Sequence, residues 1–557
     1  MLRLAPAALL SVLLLPVGAG MVATLLPAFG YLPALGGSAL SLQPWRELLA
    51  WPGLPTSLVL TIGTGLAATV LSLASALALA IAARRARVLR PVQAAIAPVL
   101  ATPHAALAIG FAFLVAPSGW IARLVSPGLT GWQVPPDIAT VQDPWGAALV
   151  LGLCLKEAPY LLLMTLAALA QVEAPATLRV AAALGYGPWR AWLLVVLPRV
   201  WPQLRLPVMA VLTFSLSVVD VPLVLGPSNP PTLAVQIVRW FADPDLSRWF
   251  PAGAGAVLLS AVVLAALLGL RVIEAVVARL GRAWGRSGER GGGGADGLAS
   301  AVGILLIGTS VAAILVLALW SFARSWRFPD ALPQAWGLGT WQAQLPGLAG
   351  TAGVTVALAV AATIIALLLA VACLENERRI GHPAGRAMAL LYLPLLVPQV
   401  AFLFGMQILL VWLSLDGGAL ALVWAHLVFV LPYVFLSLAD PWRALDARLL
   451  RSAACLGAPP WRVLLRVTLP LLARPLLAAA AVGFAVSAGL YLPTLFAGAG
   501  RVATLTTEAV TLSSGGDRRV VAATALLQAA LPVLAYALAV GLPSWRARRR
   551  RGLALAA

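Results

Sequence analysis

Arg179 to Pro198 reads RVAAALGYGPWRAWLLVVLP, and Arg451 to Pro470 reads RSAACLGAPPWRVLLRVTLP. The pairs Arg179/Arg451, Leu184/Leu456, Gly185/Gly457, Pro188/Pro460, Trp189/Trp461, Arg190/Arg462, Leu197/Leu469 and Pro198/Pro470 all stand 272 residues apart. A register kept over twenty positions marks an internal repeat.

Each copy reads as a helix, a break and a second helix. Ala and Leu are good helix formers, and Gly185 or Gly457 sits where a left-handed cap ends the first helix. Pro188 and Pro460 fall in the first turn of the next helix, where a missing N–H costs nothing. The small faces of Ala181, Ala182 and Ala183, and of Ala453 and Ala454, admit close approach of another backbone. Trp189 and Trp461 are expected to anchor the second helix of each hairpin in a pocket.

Around these hairpins the chain is apolar. With 61% hydrophobic and 10% charged residues and a mean hydropathy of +0.96, it falls among polytopic membrane proteins. The formal charge of +19 would suit nucleic acid, but the basic residues come in short clusters between long apolar runs, which is a pattern of membrane orientation. Nucleic acid is therefore not an expected partner; the lipid bilayer is. Cys154, Cys373 and Cys455 give no disulfide framework and no zinc spacing.

Apolar runs of about twenty residues predict twelve spans, near residues 5–29, 57–82, 91–116, 145–169, 206–226 and 251–273, then 300–322, 351–373, 387–413, 419–438, 475–497 and 521–543. The first run, from about Leu4 to Phe29, is too long for a signal peptide and lacks a small-residue cleavage site, so it reads as a span. With both termini on the cytoplasmic side, about 28 of the 38 basic residues lie inside, in Arg3, Arg84 to Arg90, the two hairpins, Arg271 to Arg290, Arg378 to Arg386 and Arg546 to Arg551. Nine lie outside and one, Lys156, within a span. The positive-inside rule then places both hairpins in the cytoplasm.

Gly285 to Gly297, GRSGERGGGGADG, has neither periodicity nor apolar content and reads as a flexible linker. It divides the chain into a first six-span domain (1–284, hairpin 173–198), the linker (285–297) and a second six-span domain (298–557, hairpin 445–470). Thr56/Thr351, Pro103/Pro398 and Gly110/Gly405 extend the repeat at an offset of 295, and Thr232-Leu233 matches Thr504-Leu505 at 272. The 23-residue difference is the longer outer loop of the first half, Ser118 to Gln142. Six spans per half leave the repeats parallel, so the expected fold is an all-α polytopic membrane protein with a pathway between its halves. The outer segments Leu42 to Pro55 and Ala331 to Pro346 suit an interfacial helix or a docking rim.

No catalytic centre is legible. The phosphate loop GxxxxGK[ST] requires a lysine, and the only lysine, Lys156, follows Leu153-Cys154-Leu155. His104, His382 and His426 form no metal-ligand pair at helical spacing. Neither a cofactor nor a metal site is expected. Polar groups inside spans are the remaining candidates, since each is costly at the bilayer centre unless paired or wet. Lys156 and Glu157 fall midway along the fourth span, before Pro159. They read equally as a structural ion network or as part of a pathway or gate. His104 after Pro103 and Gln399 after Pro398 occupy matching places expected to be proline kinks, facing a shared cavity or making interhelical hydrogen bonds. Asp220, just before Pro222, has no acid at the matching place around Tyr491 to Pro493.

The repeated hairpin resembles the EAA loop of the inner-membrane permease subunits of binding-protein-dependent ABC importers. Gly185 and Gly457, Trp189-Arg190 and Trp461-Arg462, and the Leu-Pro exits at Pro198 and Pro470 fit that pattern. Arg179 and Arg451 stand where the family has a glutamate that helps couple to the ATPase. Two permease domains fused head to tail look like the ferric-iron, thiamine and related importers. The resemblance implies that a separate cytosolic ABC ATPase homodimer clasps the hairpins, that a periplasmic solute-binding protein delivers a small solute, and that the chain sits in the bacterial inner membrane as a permease and not an enzyme. The main rival is a twelve-span, ion-coupled secondary transporter, which has no reason to repeat such a hairpin inside the cell. A membrane enzyme acting on lipid precursors would need clustered acids and histidines that the sequence does not supply.

Overall fold

The computed structural model describes residues 2–82, 98–288, 290, 296–381 and 390–549. The basic run 84–90, the whole segment 382–389 with His382, much of the linker and the end of the tail lie outside the described residues. Among those described, ten helices are long and apolar enough to cross a membrane, or eleven if the pair Pro460–Leu471 and Ala473–Gly489, bent by 77°, is one span. A shorter apolar helix, Gln399–Trp412, stands where the ninth span is predicted. The protein is an all-α polytopic membrane protein. Its one pair of strands among the described residues, Ala323–Ser325 with Ala335–Trp336, is antiparallel, and only the second of them lies in the segment Ala331 to Pro346 expected as an interfacial helix or docking rim.

Four predicted spans prove to be interrupted. The third helix runs His104–Val115 and the ninth Gln399–Trp412, each starting directly after its proline, with Pro103 and Pro398 as N-caps. The expected kinks inside continuous helices are thus full breaks. A proline ring pushes the preceding residue out of the helical region, and Val397 accordingly takes φ −102° and ψ 132°. The fifth helix, Leu197–Ser217, ends at an extended Val218, and a separate helix Asp220–Leu225 follows. Its counterpart Ala473–Gly489 ends at an extended Leu490, followed by Leu492–Ala497. The next helix in each half opens after the repeated threonine, as Leu233–Phe241 and Leu505–Ser513. Leu233 N–H donates to Thr61 Oγ1 at 2.8 Å and Leu505 N–H to Thr355 Oγ1 at 2.9 Å. Both halves therefore tie this helix start to their second long helix in the same way.

The first helix of each half crosses to the other half. Helix Ala5–Ala28 packs along Gln399–Trp412, and helix Asp296–Phe322 packs along His104–Val115. Both crossings are closed by glycines of the repeat, because backbones this close leave no room for a side chain. A Cβ on Gly405 would overlap the Gly20 carbonyl, and one on Gly110 the Ala313 carbonyl. Thr24 Oγ1 donates to Ala401 O at 2.6 Å and accepts from Gly405 N–H at 3.0 Å, stitching the first of these crossings.

Candidate functional site

Both hairpins have the same construction. Helix Ala174–Ala183 ends at Gly185 with φ +84°, and helix Ala447–Cys455 ends at Gly457 with φ +81°. Gly185 N–H donates to Ala182 O and Tyr186 N–H to Ala181 O; Gly457 N–H donates to Ala454 O and Ala458 N–H to Ala453 O. Each is a Schellman turn that satisfies the helix's last carbonyls. Pro188 and Pro460 then open the second helix.

A π-helical turn follows in each copy, at Trp192–Val196 and Leu464–Thr468, immediately before the Leu-Pro exit. Pro198 and Pro470 have no N–H, and their rings crowd the carbonyl four residues back, so the helix widens there. Nothing in the spacing alone predicted this turn. The prolines were its signal.

The tips are exposed and partly apolar. Leu184 is 57% and Leu456 88% exposed, and Arg179 and Arg451 lie in the open beside them. The tryptophans differ from expectation. Trp189 is half-buried, Trp461 is exposed with Arg462 stacked on its ring at 5.4 Å, and the buried anchor of the first hairpin is Trp192. On the first hairpin Arg190 stacks on Trp284 at 5.5 Å, and Gly187 N–H donates to Arg290 O, so the extended sixth helix, Trp249–Arg286, and the residue beyond it lean on this copy.

All five intramembrane candidates, His104, Lys156, Glu157, Asp220 and Gln399, line one cavity of about 400 Å³ between the halves. The helix breaks put them there: His104, Asp220 and Gln399 are each the first residue of a helix. Lys156 and Glu157 take different roles, as neighbours about 100° apart on one helix do. Lys156 Nζ donates to the carbonyls of Val99 (3.1 Å), Leu100 (2.7 Å) and Thr102 (2.5 Å), the end of the segment just before the third helix. Glu157 Oε1 lies 3.2 Å from His104 Nε2. Lys156 is therefore a structural tie at the cavity's edge. Replacing it by Met is expected to leave these carbonyls without a donor, costing on the order of 2 kcal/mol. A lower melting temperature of Lys156→Met in detergent checks this; an unchanged one would show that the three bonds carry no stability.

Sequence reasoning missed the aromatic part of this wall. Tyr160, Tyr433, Tyr491, Phe214 and Phe429 line the cavity, as does Thr213, whose buried Oγ1 has no hydrogen-bond partner. Aromatic residues within apolar runs leave no periodic signal. His426 was passed over as well, and it is a buried structural group, bonded to Ser487 Oγ at 2.8 Å and Thr494 Oγ1 at 3.0 Å.

Residues 381–545, which include the second hairpin, match the family described as binding-protein-dependent transport system inner membrane component. The inner membrane ABC transporter permease protein YnjC of Escherichia coli (strain K12) is 35% identical over 524 residues, covering 92% of this chain and 93% of that protein. The spermidine/putrescine transport system permease protein PotC of the same organism is 31% identical over 118 residues, 21% of this chain and 43% of that protein. With the similarity to YnjC running along nearly the full length of both proteins, the chain belongs to the binding-protein-dependent inner-membrane permeases of ABC transporters.

Proposed function

We propose that this chain supplies the membrane pathway of an ABC importer, with two six-span permease domains (1–284 and 298–557) fused through the linker 285–297. Two copies of a cytosolic ATPase grip its two hairpins, and a periplasmic binding protein presents the solute. The observation that carries this reading is the duplicated hairpin, with the same left-handed glycine, proline start and π turn recurring 272 residues apart and an exposed leucine at each tip. A pair of equal handles suits a twofold motor. Both termini lie in the cytoplasm with the hairpins, in accord with the positive-inside rule.

ATP binding draws the handles together, and the helix following each π turn carries that movement to the cavity. Arg179 and Arg451 reverse the usual charge at the coupling site, so the ATPase surface facing them carries acidic side chains. The ferric-iron and thiamine importers remain the fused permeases that the sequence resembles. PotC is named for spermidine and putrescine, and its similarity covers only one-fifth of the chain.

Removing the ATPase subunit from cells that express the chain is expected to abolish uptake of the solute. Uptake that persists and follows an ion gradient would replace this reading by a secondary transporter.

A further inference from the structure

We propose that the cavity between the halves is a transit site for a small organic cation, whose positive charge sits against Asp220 and Glu157 and whose apolar body lies on the surrounding aromatic rings. This rests on the permease reading above and adds the class of solute. Asp220 is nine-tenths buried and lines the cavity. Among the described residues no side chain donates a hydrogen bond to its carboxylate, and the amides at the start of its own short helix are its nearest donors. A buried carboxylate without a cationic partner is costly. The His104 imidazole is within electrostatic reach of Asp220 but already lies 3.2 Å from Glu157 Oε1, so two buried carboxylates share one ring and the solute supplies the further positive charge.

The other charges in the wall do not fill that role. The Lys156 ammonium is held by three carbonyls, whose dipoles offset it. His104 is shared with Glu157. The third and ninth helices also begin at the cavity, and a helix start carries about half a positive charge. That favours anions in general, but here Glu157 already faces the first residue of the third helix and Asp220 opens its own. A free anion would meet two carboxylates close by in a poorly screened space.

The uncharged wall has the matching chemistry. Tyr160, Tyr433, Tyr491 and Phe214 line the cavity with aromatic rings, the side chains that hold ammonium groups, and the unpartnered Thr213 hydroxyl offers one more polar contact. Among the described residues no three His, Cys, Asp or Glu side chains come together as a metal cage would require. One dispersed charge on an organic body suits this spacing better than a bare metal ion. A volume of about 400 Å³ lies within the range of small-solute sites.

The test is ligand-induced stabilisation of the purified full chain in lipid nanodiscs, with choline and putrescine as cationic probes, sulfate as the anion and glucose as the neutral control. Choline or putrescine is expected to raise the melting temperature in a saturable way, sulfate and glucose to leave it unchanged. Asp220→Asn, which keeps the side chain's size and shape but removes the charge, is expected to weaken the cation's half-saturation at least tenfold. Glu157→Gln serves as a second variant should Asp220→Asn fail to fold. Stabilisation by sulfate instead, equal cation binding in wild type and the folded variant, or no response to either cation would each overturn the proposal. ATP-dependent uptake by a transporter whose cavity ignores ammonium probes would remove only this inference. Cation binding in a chain whose uptake needs no ATPase would remove only the importer reading.

Discussion

Gly405→Val is expected to prevent recovery of the folded protein, with most of the product aggregated on size-exclusion chromatography and any soluble remainder melting well below wild type. The reason lies in what the new side chain meets. A Cβ at 405 overlaps the Gly20 carbonyl and crowds the Thr24 hydroxyl and amide. The first of these is main chain in a helix fixed along its length, and it cannot turn aside as a flexible side chain would. Overpacking of a close-packed contact costs about 1–3 kcal/mol even where side chains give way, and here the two helices must separate. Separation also breaks the bonds between Thr24 Oγ1 and Ala401 O and between Gly405 N–H and Thr24 Oγ1. The total is a large part of the ~5–15 kcal/mol that holds a typical domain together. Gly110→Val meets the Ala313 carbonyl and is expected to behave alike. Gly18→Val, on the same first helix but with no atom within 4 Å of its Cβ, is the control and is expected to fold normally. A monodisperse Gly405→Val with a wild-type melting temperature would show that the first helix does not cross as described.

The contrast between Gly405 and Gly457 shows which parts of the fold are legible in a sequence. Gly457 stands in a turn made by the residues on either side of it, so its left-handed backbone is foreseeable from a helix-forming run followed by Gly and Pro. Gly405 appears in the same sequence only as one member of a repeated pair. Its reason is a backbone from nearly 400 residues away, and no local pattern announces which helix will lie there. The breaks after Ser217 and Gly489 belong with Gly405. They fall in apolar runs that read as continuous spans, and they are set by how Asp220–Leu225 packs on His104–Val115 and Leu492–Ala497 on Gln399–Trp412. The site divides along the same line. His104, Lys156, Glu157, Asp220 and Gln399 could be singled out because polar groups are expensive in a bilayer. That they share one cavity, and that Lys156 is tied to backbone carbonyls, depends on where the helices break. Tyr433 and Tyr491 carry no such cost signal and emerge only from the structure.

The second large effect belongs to the handles. Gly185→Val and Gly457→Val, singly and together, are expected to leave membrane insertion and melting temperature near wild type while cutting ATP-driven uptake at least tenfold. ATP hydrolysis by the assembled transporter should remain within about a factor of two. Gly185 and Gly457 hold φ of +84° and +81°, a region that costs a residue with a side chain roughly 1–2 kcal/mol and a β-branched one more. At Gly457 no neighbouring atom lies within 4 Å of a Cβ, so backbone conformation alone is responsible for the effect. The spans make their own contacts, so the strain is relieved where it arises, by opening the turn and swinging helix Ala447–Cys455 and its exposed Leu456 away from helix Pro460–Val463. A tenfold loss corresponds to about 1.4 kcal/mol, which is the size of the strain itself. A graded series separates this cause from simple bulk. Asn adopts the left-handed region more readily than other residues with side chains, so Gly457→Asn should retain most uptake, Gly457→Ala less and Gly457→Val least. If Gly185→Val and Gly457→Val both transported at the wild-type rate, the rigid turn would have no part in coupling. If uptake and hydrolysis fell together in equal measure, the hairpins would be docking sites for the ATPase without being the levers that it moves.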